Sequence, residues 1–372
     1  MERILLTLAV ATALATAQTV ARAETTLYGN LNESINSYDT DAGGDDINLR
    51  SNTSAIGLKG SEDLGSGLSA IYQAEFQFDP ADSSGFSGRD QWVGLKTNKL
   101  GKLRFGTIST SYKSHGAMID PLYRTSLEDR SFGLQSRLHA GKGENGQGRM
   151  TRHVRYDSPS WAGFDFTLDY SLDNDANDQS DDNAYGAGAK YKNGGILVFA
   201  DYLTSDAGGD DNAWKVGGSY TFGYFGVYAQ YENDGGLIAN GGGAGGAGIS
   251  NANPDSSTTN GFDGDGQNTW FLGASFTFGN TLLFGGYGSA DDAKGNDIQD
   301  INPGNPLDTG YTSWTLAIDH HLSKRTDIYG GYNHLNCDNY AGSVCGTVVN
   351  GDPATDSDGA QDFFSVGLRH KF

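Results

Sequence analysis

The sequence predicts an all-β protein, a transmembrane antiparallel β-barrel of about sixteen strands. Apolar residues alternate with polar ones in runs of about ten residues, the length of a tilted strand that crosses a bilayer. Short and long segments alternate between these runs. The chain holds 55 Gly, 19 Tyr and 18 Phe, yet its mean hydropathy is only −0.48. Low-complexity disorder and a secreted β-sandwich also fit this composition, but the recurrent alternation argues against disorder.

The alternation defines each strand. In the third run, Phe76 and Phe78 share one parity, whereas Gln73, Glu75 and Gln77 share the other. Such a run has one apolar and one polar face. The predicted strands cover residues 26–38, 47–60, 67–79, 87–97, 102–109, 150–157, 163–172, 184–193, 195–204, 213–223, 224–233, 268–278, 281–289, 311–322, 326–336 and 361–372.

The lengths of the connections separate a barrel from a sandwich. Tight turns are predicted at 193–195, 223–224 and 279–280, and they alternate with long polar connections such as 233–267 and 289–310. One end of the molecule therefore carries short turns and the other long, acidic loops. Barrels of the bacterial outer membrane have short periplasmic turns and long outer loops, and a sandwich has no reason to sort its connections in this way.

The last run continues to the final residue and predicts closure of the barrel. Its apolar row consists of Phe364, Val366, Leu368, His370 and Phe372. An open sheet edge in lipid leaves backbone groups unpaired at several kcal/mol each. The last strand is therefore expected to pair with the first, around residues 26–38.

The beginning of the chain predicts export. Residues 1–23 have a basic start with Arg3, an apolar centre and the sequence Ala-Arg-Ala at 21–23, all of which are typical of a cleaved signal peptide. The predicted domains are thus a signal peptide over 1–23 and a barrel over 24–372. An oxidising compartment would allow Cys337 and Cys345 to form a disulfide. The formal net charge of −21 argues against nucleic acid as a partner.

Several stretches together resemble the general diffusion porins of Gram-negative bacteria, in the branch typified by Neisseria and other proteobacteria. They are TLYGNL, SNTSAIGLKGSEDLGSGLSAIYQAEFQF, WVGLKTNKLGKLRFGTIST, RYDSPSWAGFDF and the terminal FFSVGLRHKF. The resemblance implies a multi-pass outer-membrane barrel, usually a homotrimer, with an aqueous pore and a third loop folded inward. It also implies contact with outer-membrane lipids and lipopolysaccharide, and a terminal aromatic residue that the barrel assembly machinery recognises.

The third loop is also visible in the sequence itself. About forty residues, 109–148, separate two predicted strands, and a loop of this length is usually either functional or disordered. Its apolar residues, among them Ile119, Leu122, Leu127 and Phe132, favour packing against a wall. We therefore predict that residues 109–148 form a constriction loop inside the barrel.

Charged residues on the two sides of this constriction are the candidate site. The loop carries Asp120, Glu128 and Asp129. By resemblance, the basic wall opposite is drawn from Arg50, Lys59, Lys102, Arg104 and Arg155, with Arg89 and Arg152 as further candidates. Parity supports Arg104 and Arg155, because their sequence neighbours are apolar. Such charges orient and filter solutes by charge and width; the alternative is that they are ordinary solvated charges of the lumen.

These observations predict a water-filled channel for passive diffusion of ions and small hydrophilic solutes, with a weak cation preference from the acidic loops. Two alternatives stay open: a substrate-specific channel, and a surface-structural or adhesive barrel with a plugged lumen. No enzyme is predicted, because none of the seven histidines lies in a nucleophile-elbow or metalloprotease motif. No cofactor is predicted, apart from loosely bound Ca²⁺ at the acidic stretches 171–183 and 262–267.

Overall fold

The computed structural model describes residues 23–40, 46–132, 142–143, 148–172, 183–205, 211–235, 237, 268–291, 310–337 and 359–372. Residues 1–22 of the predicted signal peptide lie outside this part of the chain. So do Cys345 and nearly all of the acidic stretches considered for Ca²⁺. The signal peptide, the disulfide to Cys337 and the bound Ca²⁺ therefore stay predictions.

In the described residues, eighteen strand segments form one sheet, and they make up the sixteen wall strands that enclose a lumen. The strands are β1 (Ala23–Thr40), β2 (Asp46–Ser51), β3 (Ala55–Gly65), β4 (Leu68–Asp79), β5 (Ser84–Thr97), β6 (Gly101–Ser109), β7 (Lys142–Gly143), β8 (Arg149–Asp157), β9 (Phe164–Ser171), β10 (Ala184–Asn193), β11 (Ile196–Ser205), β12 (Asp211–Phe222), β13 (Phe225–Gly235), β14 (Asn268–Phe278), β15 (Thr281–Ala290), β16 (Tyr311–His321), β17 (Thr326–Cys337) and β18 (Gly359–Lys371). Segments β2 and β3 both pair with β1 and count as one wall strand, and the two-residue β7 belongs to a loop.

The wall closes between its first and last strands. β1 pairs antiparallel with β18, from Asn30 opposite Lys371 to Thr40 opposite Gln361. Its other edge pairs with β2 and β3. Over Glu33–Tyr38 both edges of β1 are therefore paired, and the barrel closes as lipid requires. The predicted fold class, a closed antiparallel barrel of sixteen strands, is confirmed.

The second wall strand differs from the continuous strand predicted over 47–60. It is interrupted between β2 and β3, where Thr53 adopts a φ of 63°. The hydroxyl of Ser54 accepts a hydrogen bond from the backbone N–H of Asn32 at 3.0 Å, so a side chain satisfies a donor of β1 at the break. Alternation read as one continuous strand does not foresee this break, across which the parity shifts: the exposed residues are Ile47 and Leu49 on β2, but Leu58 on β3.

Apolar side chains cover the outside of the barrel, and polar ones line the inside. Along β18, Phe364, Val366 and Leu368 are exposed, whereas the alternate residues Ser365 and Arg369 are buried. Val366 is 63% exposed and Ser365 only 3%. The apolar row at the end of the chain therefore faces lipid. Among the described helices, none combines the length and the apolarity that a bilayer crossing needs.

The tight turns lie where the sequence predicts them. Phe222 of β12 pairs with Phe225 of β13, which leaves a two-residue turn, and Gly223 has a φ of 59°. The turn after β14 is built in the same way around Gly279, with a φ of 56°. A two-residue hairpin turn needs positive φ, which glycine adopts at no steric cost.

Candidate functional site

The predicted constriction loop lies between β6 and β8, and its described residues up to 132 form three short helical segments. They are α1 (Ser111–Gly116) and two 3₁₀ turns, Ala117–Ile119 and Asp129–Phe132. Thr110 caps α1, because its side chain accepts a hydrogen bond from the backbone N–H of Lys113. The predicted loop began at residue 109, but Ser109 is the last residue of β6.

Helix α1 is anchored to the wall formed by β9 to β11. The backbone N–H and the hydroxyl of Ser111 both donate to Oδ2 of Asp169 at 3.1 Å. Nδ1 of His115 lies 2.9 Å from Oδ1 of Asp201. Gly188 allows this approach, since a Cβ at that position would lie 2.5 Å from the Ser111 hydroxyl. The first half of the loop is therefore held by buried, charge-assisted hydrogen bonds.

The second half of the loop packs on the opposite side of the ring of strands. Leu122, Leu127 and Phe132 are almost completely buried. The ring centroids of Phe132 and Phe363 are 5.7 Å apart. The wall residues in the same cluster include Phe271, Phe284, Tyr329, Leu335 and Phe363, from β14, β15, β17 and β18. These side chains fill part of the lumen with an apolar contact between the loop and the wall.

Polar contacts fasten the loop to β1 and β18. Nη1 of Arg369 donates to the carbonyl oxygen of Tyr123 at 3.0 Å. The side-chain amide of Asn32 donates to the carbonyl oxygen of Arg124, and the hydroxyls of Ser126 and Ser365 are hydrogen bonded. Because α1 is bound to β9 and β11 on the other side, the loop crosses the lumen and narrows it.

The three loop acids of the predicted site are close in sequence and all buried. Oδ1 of Asp120 accepts a hydrogen bond from the backbone N–H of Leu122 at 2.9 Å. Oε2 of Glu128 accepts one from the backbone N–H of Arg124 at 2.7 Å. These two carboxylates therefore stabilise the turns of the loop, in addition to the charge that they bring to the lumen.

Asp129 lies against β15. Its Oδ1 would be 3.1 Å from a Cβ at Gly286, so glycine makes room for the carboxyl group. Burial, together with the charges of Asp120 and Glu128, raises the pKa of Asp129 well above its usual range. The neutral Asp129 carboxyl therefore contributes to the stability of the packed loop at low pH. This contribution is lost as the pH rises through the pKa that Asp129 has in the folded protein.

Two of the predicted wall bases, Arg104 and Arg155, meet at one acid. Nη2 of Arg155 lies 2.9 Å from Oδ1 of Asp157, and Nη2 of Arg104 lies 2.5 Å from its Oδ2. Nη1 of Arg155 also donates to the carbonyl oxygen of Ser109 at 2.5 Å. The pair of arginines is therefore fixed on the inner wall directly beside the start of the constriction loop.

Two other predicted bases, Lys59 and Lys102, line a cavity of about 560 Å³ at the end of the barrel with short turns, together with Lys96 and Arg104. The guanidinium of Arg104 lies over the ring of Trp92, 4.9 Å from its centroid. In the described part of the chain, no ion pair includes any of the three lysines. Their charges therefore act on the contents of the cavity.

Arg50 is not in this group. It lies on β2, opposite Ser34 in the register, on the parity opposite to the exposed residues Ile47 and Leu49. It does not line the cavity of Lys59 and Lys102. Arg152, a further candidate, is exposed on β8. The predicted wall bases thus fall into an arginine pair, a lysine-lined cavity and the separate Arg50.

Sequence reasoning missed a loop–wall ion pair in which the charges are the reverse of those predicted. Nη2 of the loop residue Arg124 lies 3.4 Å from Oε1 of Glu75 on β4. The same Glu75 oxygen lies 2.5 Å from Nε of Arg89, the additional candidate on β5. Here the loop supplies the base and the wall the acid. Two signals were available: Glu75 lies on the polar parity of its strand, and Arg124 lies within the loop segment MIDPLYRTSLEDR.

A family model described as Gram-negative porin matches residues 6–340. The major outer membrane protein P.IB of Neisseria meningitidis is 34% identical over 198 residues, covering 51% of this chain and 56% of that protein. An outer membrane porin protein of Bordetella pertussis is 31% identical over 219 residues, 49% of this chain and 54% of its own. The chain spans about half the length of the curated relatives it matches.

Solved structures share the fold over nearly the whole chain. An anion-selective porin from Comamonas acidovorans has a TM-score of 0.70 at 23% identity, and the match covers 94% of this chain and 100% of that one. OmpT of Vibrio cholerae, in a trimer form, has a TM-score of 0.60 at 15% identity and covers 94% of this chain and 99% of its own. At these identities the likeness shows the architecture of the wall.

Proposed function

Because the chain belongs to the Gram-negative porin family and is a protein of the outer membrane, we propose that it forms a water-filled channel for passive diffusion. The solutes are ions and small hydrophilic molecules. Permeation depends on the width and charge of the lumen, and no chemical step takes part. The protein is accordingly a channel and not an enzyme.

One observation carries this proposal: a loop crosses the lumen of a closed barrel and is fixed on both sides. Asp169 and Asp201 hold α1, and Arg369 and Asn32 hold the segment around Tyr123. A loop anchored in this way keeps the width of the lumen constant. The charged residues around it remain in place as solutes pass.

The test is conductance. The mature chain, residues 24–372, is refolded in detergent and added to a planar lipid bilayer. Large, ohmic current steps are expected. A folded protein that inserts into the bilayer without conducting would overturn the channel and support a plugged, surface-structural barrel. Insertion is checked separately by protection of the wall from protease in lipid vesicles.

The assembly partners of the channel are part of the proposal. We propose a homotrimer, which is supported by the trimer form of the structurally similar OmpT of Vibrio cholerae. The exposed apolar rows of the wall support contact with outer-membrane lipids and lipopolysaccharide, and the terminal Phe372 supports recognition by the barrel assembly machinery. Cross-linking of the refolded protein in detergent is expected to yield a three-chain species.

A substrate-specific channel for small anions is the second candidate, and the lysine-lined cavity favours it. The acidic outer loops indicate a weak cation preference, but local charges outweigh distant ones beyond a Debye length of about 8 Å. Lys59, Lys96 and Lys102 converge on a space of about 560 Å³, which is large enough for a small dianion. Saturable block of the current by phosphate or succinate would support this candidate over general diffusion.

Neutralising two of these lysines is expected to lower anion permeability. The double variant Lys59→Gln/Lys102→Gln removes two positive charges from the cavity. A unit charge about 7 Å from an ion in water contributes roughly 0.6 kcal/mol, so the ratio of anion to cation permeability should fall several-fold. The reversal potential in a KCl gradient measures this ratio.

Lys190→Gln is the control for this shift. Lys190 is an inner-wall lysine on β10, but it is paired with Asp165 and does not line the cavity. Its removal changes the net charge in the same direction without changing the cavity. Equal shifts of the reversal potential per charge removed in the two variants would show that total charge, and not the cavity, sets the preference.

A further inference from the structure

We propose that Asp319, His321 and Asp327 form a binding site for a divalent transition-metal ion, such as Zn²⁺, at the rim of the lumen. The site lies where the short connection between β16 and β17 turns, which in an outer-membrane barrel is the periplasmic end. The proposal is independent of the conductance of the channel, because it concerns binding to the folded wall.

Strand geometry brings the three side chains together. Asp319 and His321 are two residues apart on β16 and therefore point to the same face. Asp327 is the register partner of His321 on β17. Asp319 and Asp327 are both buried on the inner face, whereas the intervening His320 is exposed on the outer face. The three potential ligands thus face one point on the lumen side of the wall.

The distances fit a small ion after a modest closure. Nδ1 of His321 lies 3.8 Å from Oδ1 of Asp319 and 3.9 Å from Oδ1 of Asp327. All three donor atoms lie within 4.8 Å of one another. Zinc ligands at about 2.0–2.2 Å from the metal are about 3.4 Å apart in tetrahedral geometry. His321 is half exposed at the end of its strand, so its ring can move by the roughly half ångström that separates its two distances to the carboxylates from this value.

Arg369 orients the two carboxylates for this purpose. Its Nε donates to Oδ2 of Asp327 at 2.6 Å, and its Nη2 donates to Oδ2 of Asp319 at 3.2 Å. One oxygen of each carboxylate is thereby held on the arginine, and the other is left toward His321. Outer-shell partners of this kind set the direction of metal ligands.

An unsatisfied buried oxygen points to a ligand. Asp319 is only 3% exposed, and its Oδ1 accepts no hydrogen bond from any residue that the structure describes. A buried carboxylate oxygen without a partner is costly. A cation between Asp319, His321 and Asp327 would satisfy this oxygen and would use the imidazole nitrogen nearest to it.

The ligand chemistry selects the class of ion. Ca²⁺ and Mg²⁺ bind through oxygen ligands, whereas an imidazole with two carboxylates suits Zn²⁺ and similar transition metals. The positive charges of Arg369 and, farther along β18, Lys371 offset part of the carboxylate charge. The affinity is therefore expected to be lower than that of a closed structural zinc site with four protein ligands.

The experiment measures Zn²⁺ binding to the refolded barrel, prepared without a histidine tag, by isothermal titration calorimetry in detergent. The wild type should bind one ion more per chain than His321→Ala. Asp319→Asn should lower the affinity at least tenfold. Co²⁺ provides a second readout, because the intensity and position of its visible d–d bands change when it leaves water for a protein site, and this change should be lost in His321→Ala.

The matched control is His320→Ala, which removes a histidine from the adjacent position on the outer face. His320 is hydrogen bonded to Thr281 and does not point to the cluster. The His320→Ala variant should bind Zn²⁺ and Co²⁺ as the wild type does. Equal binding by the wild type and His321→Ala would overturn the proposal, as would equal losses in His320→Ala and His321→Ala. Heat-dependent gel mobility establishes that each variant is folded.

Discussion

Replacing Asp169 by alanine is expected to destabilise the barrel by about 3–5 kcal/mol, because it removes a buried carboxylate that contacts both His153 and Arg155 and accepts two hydrogen bonds from Ser111. Nε2 of His153 lies 2.9 Å from Oδ1 of Asp169, and Nη1 of Arg155 lies 3.8 Å from it. Asp169 also accepts both hydrogen bonds from Ser111 that anchor α1. Asp169→Ala should therefore conduct in larger and noisier steps, since one end of the constriction loop is released.

The measurements are urea unfolding in lipid vesicles and single-channel recording. Asp165→Ala on the same strand is the control. Asp165 pairs with Lys190 in a less buried position, and an ion pair of this kind contributes at most about 1 kcal/mol. Asp165→Ala should leave the constriction loop and its current noise unchanged. Quiet, wild-type currents from Asp169→Ala would contradict its role as an anchor.

An arginine placed on the outer face in the middle of a strand is expected to cause the second large loss of stability. Val216 lies at the middle of β12, and its side chain is 45% exposed on the lipid face. A charged residue at the bilayer midplane of a β-barrel costs about 2–4 kcal/mol. Val216→Arg should therefore lower the free energy of unfolding in vesicles by this amount.

The control for Val216→Arg is an arginine placed nearer the membrane interface. Ile196 is the first residue of β11, on the neighbouring strand and on the same outer face. An arginine near the membrane interface costs only about 0–1 kcal/mol. Ile196→Arg should therefore refold almost as well as the wild type. Equal losses at the two positions would mean that this face of the wall is not in contact with the bilayer interior.

Much of the wall follows from local pattern. The bounds predicted for β10 and β14 agree with the structure, and the apolar row ending the chain does face outward. Alternation predicts these features because lipid on one side and water on the other impose a two-residue period on every strand. The break at Thr53 escaped this reasoning, since alternation within one run does not foresee a local change of φ that shifts the outward parity from Leu49 on β2 to Leu58 on β3.

Local sequence pattern predicts only part of the candidate site. Parity places Lys102, Arg104 and Arg155 on the inner face, and the length of the connection after β6 predicts a loop inside the barrel. The partners of these charges are not local in sequence. Arg155 and Asp157 lie two residues apart, but Arg124 is separated from Glu75 by 49 residues, and Arg369 from Asp319 by 50.

By itself, the sequence determined the all-β class, the strands, the alternation of turns and loops and the direction of most wall side chains, because each depends on a short repeating pattern and on the solvent on either side. The tertiary structure decided which charges meet. It paired the loop base Arg124 with the wall acid Glu75, turned Asp120 and Glu128 toward backbone N–H groups and gathered Asp319, His321 and Asp327 at one rim. These contacts depend on the path of the loop across the lumen and on the register between strands, which no local pattern encodes.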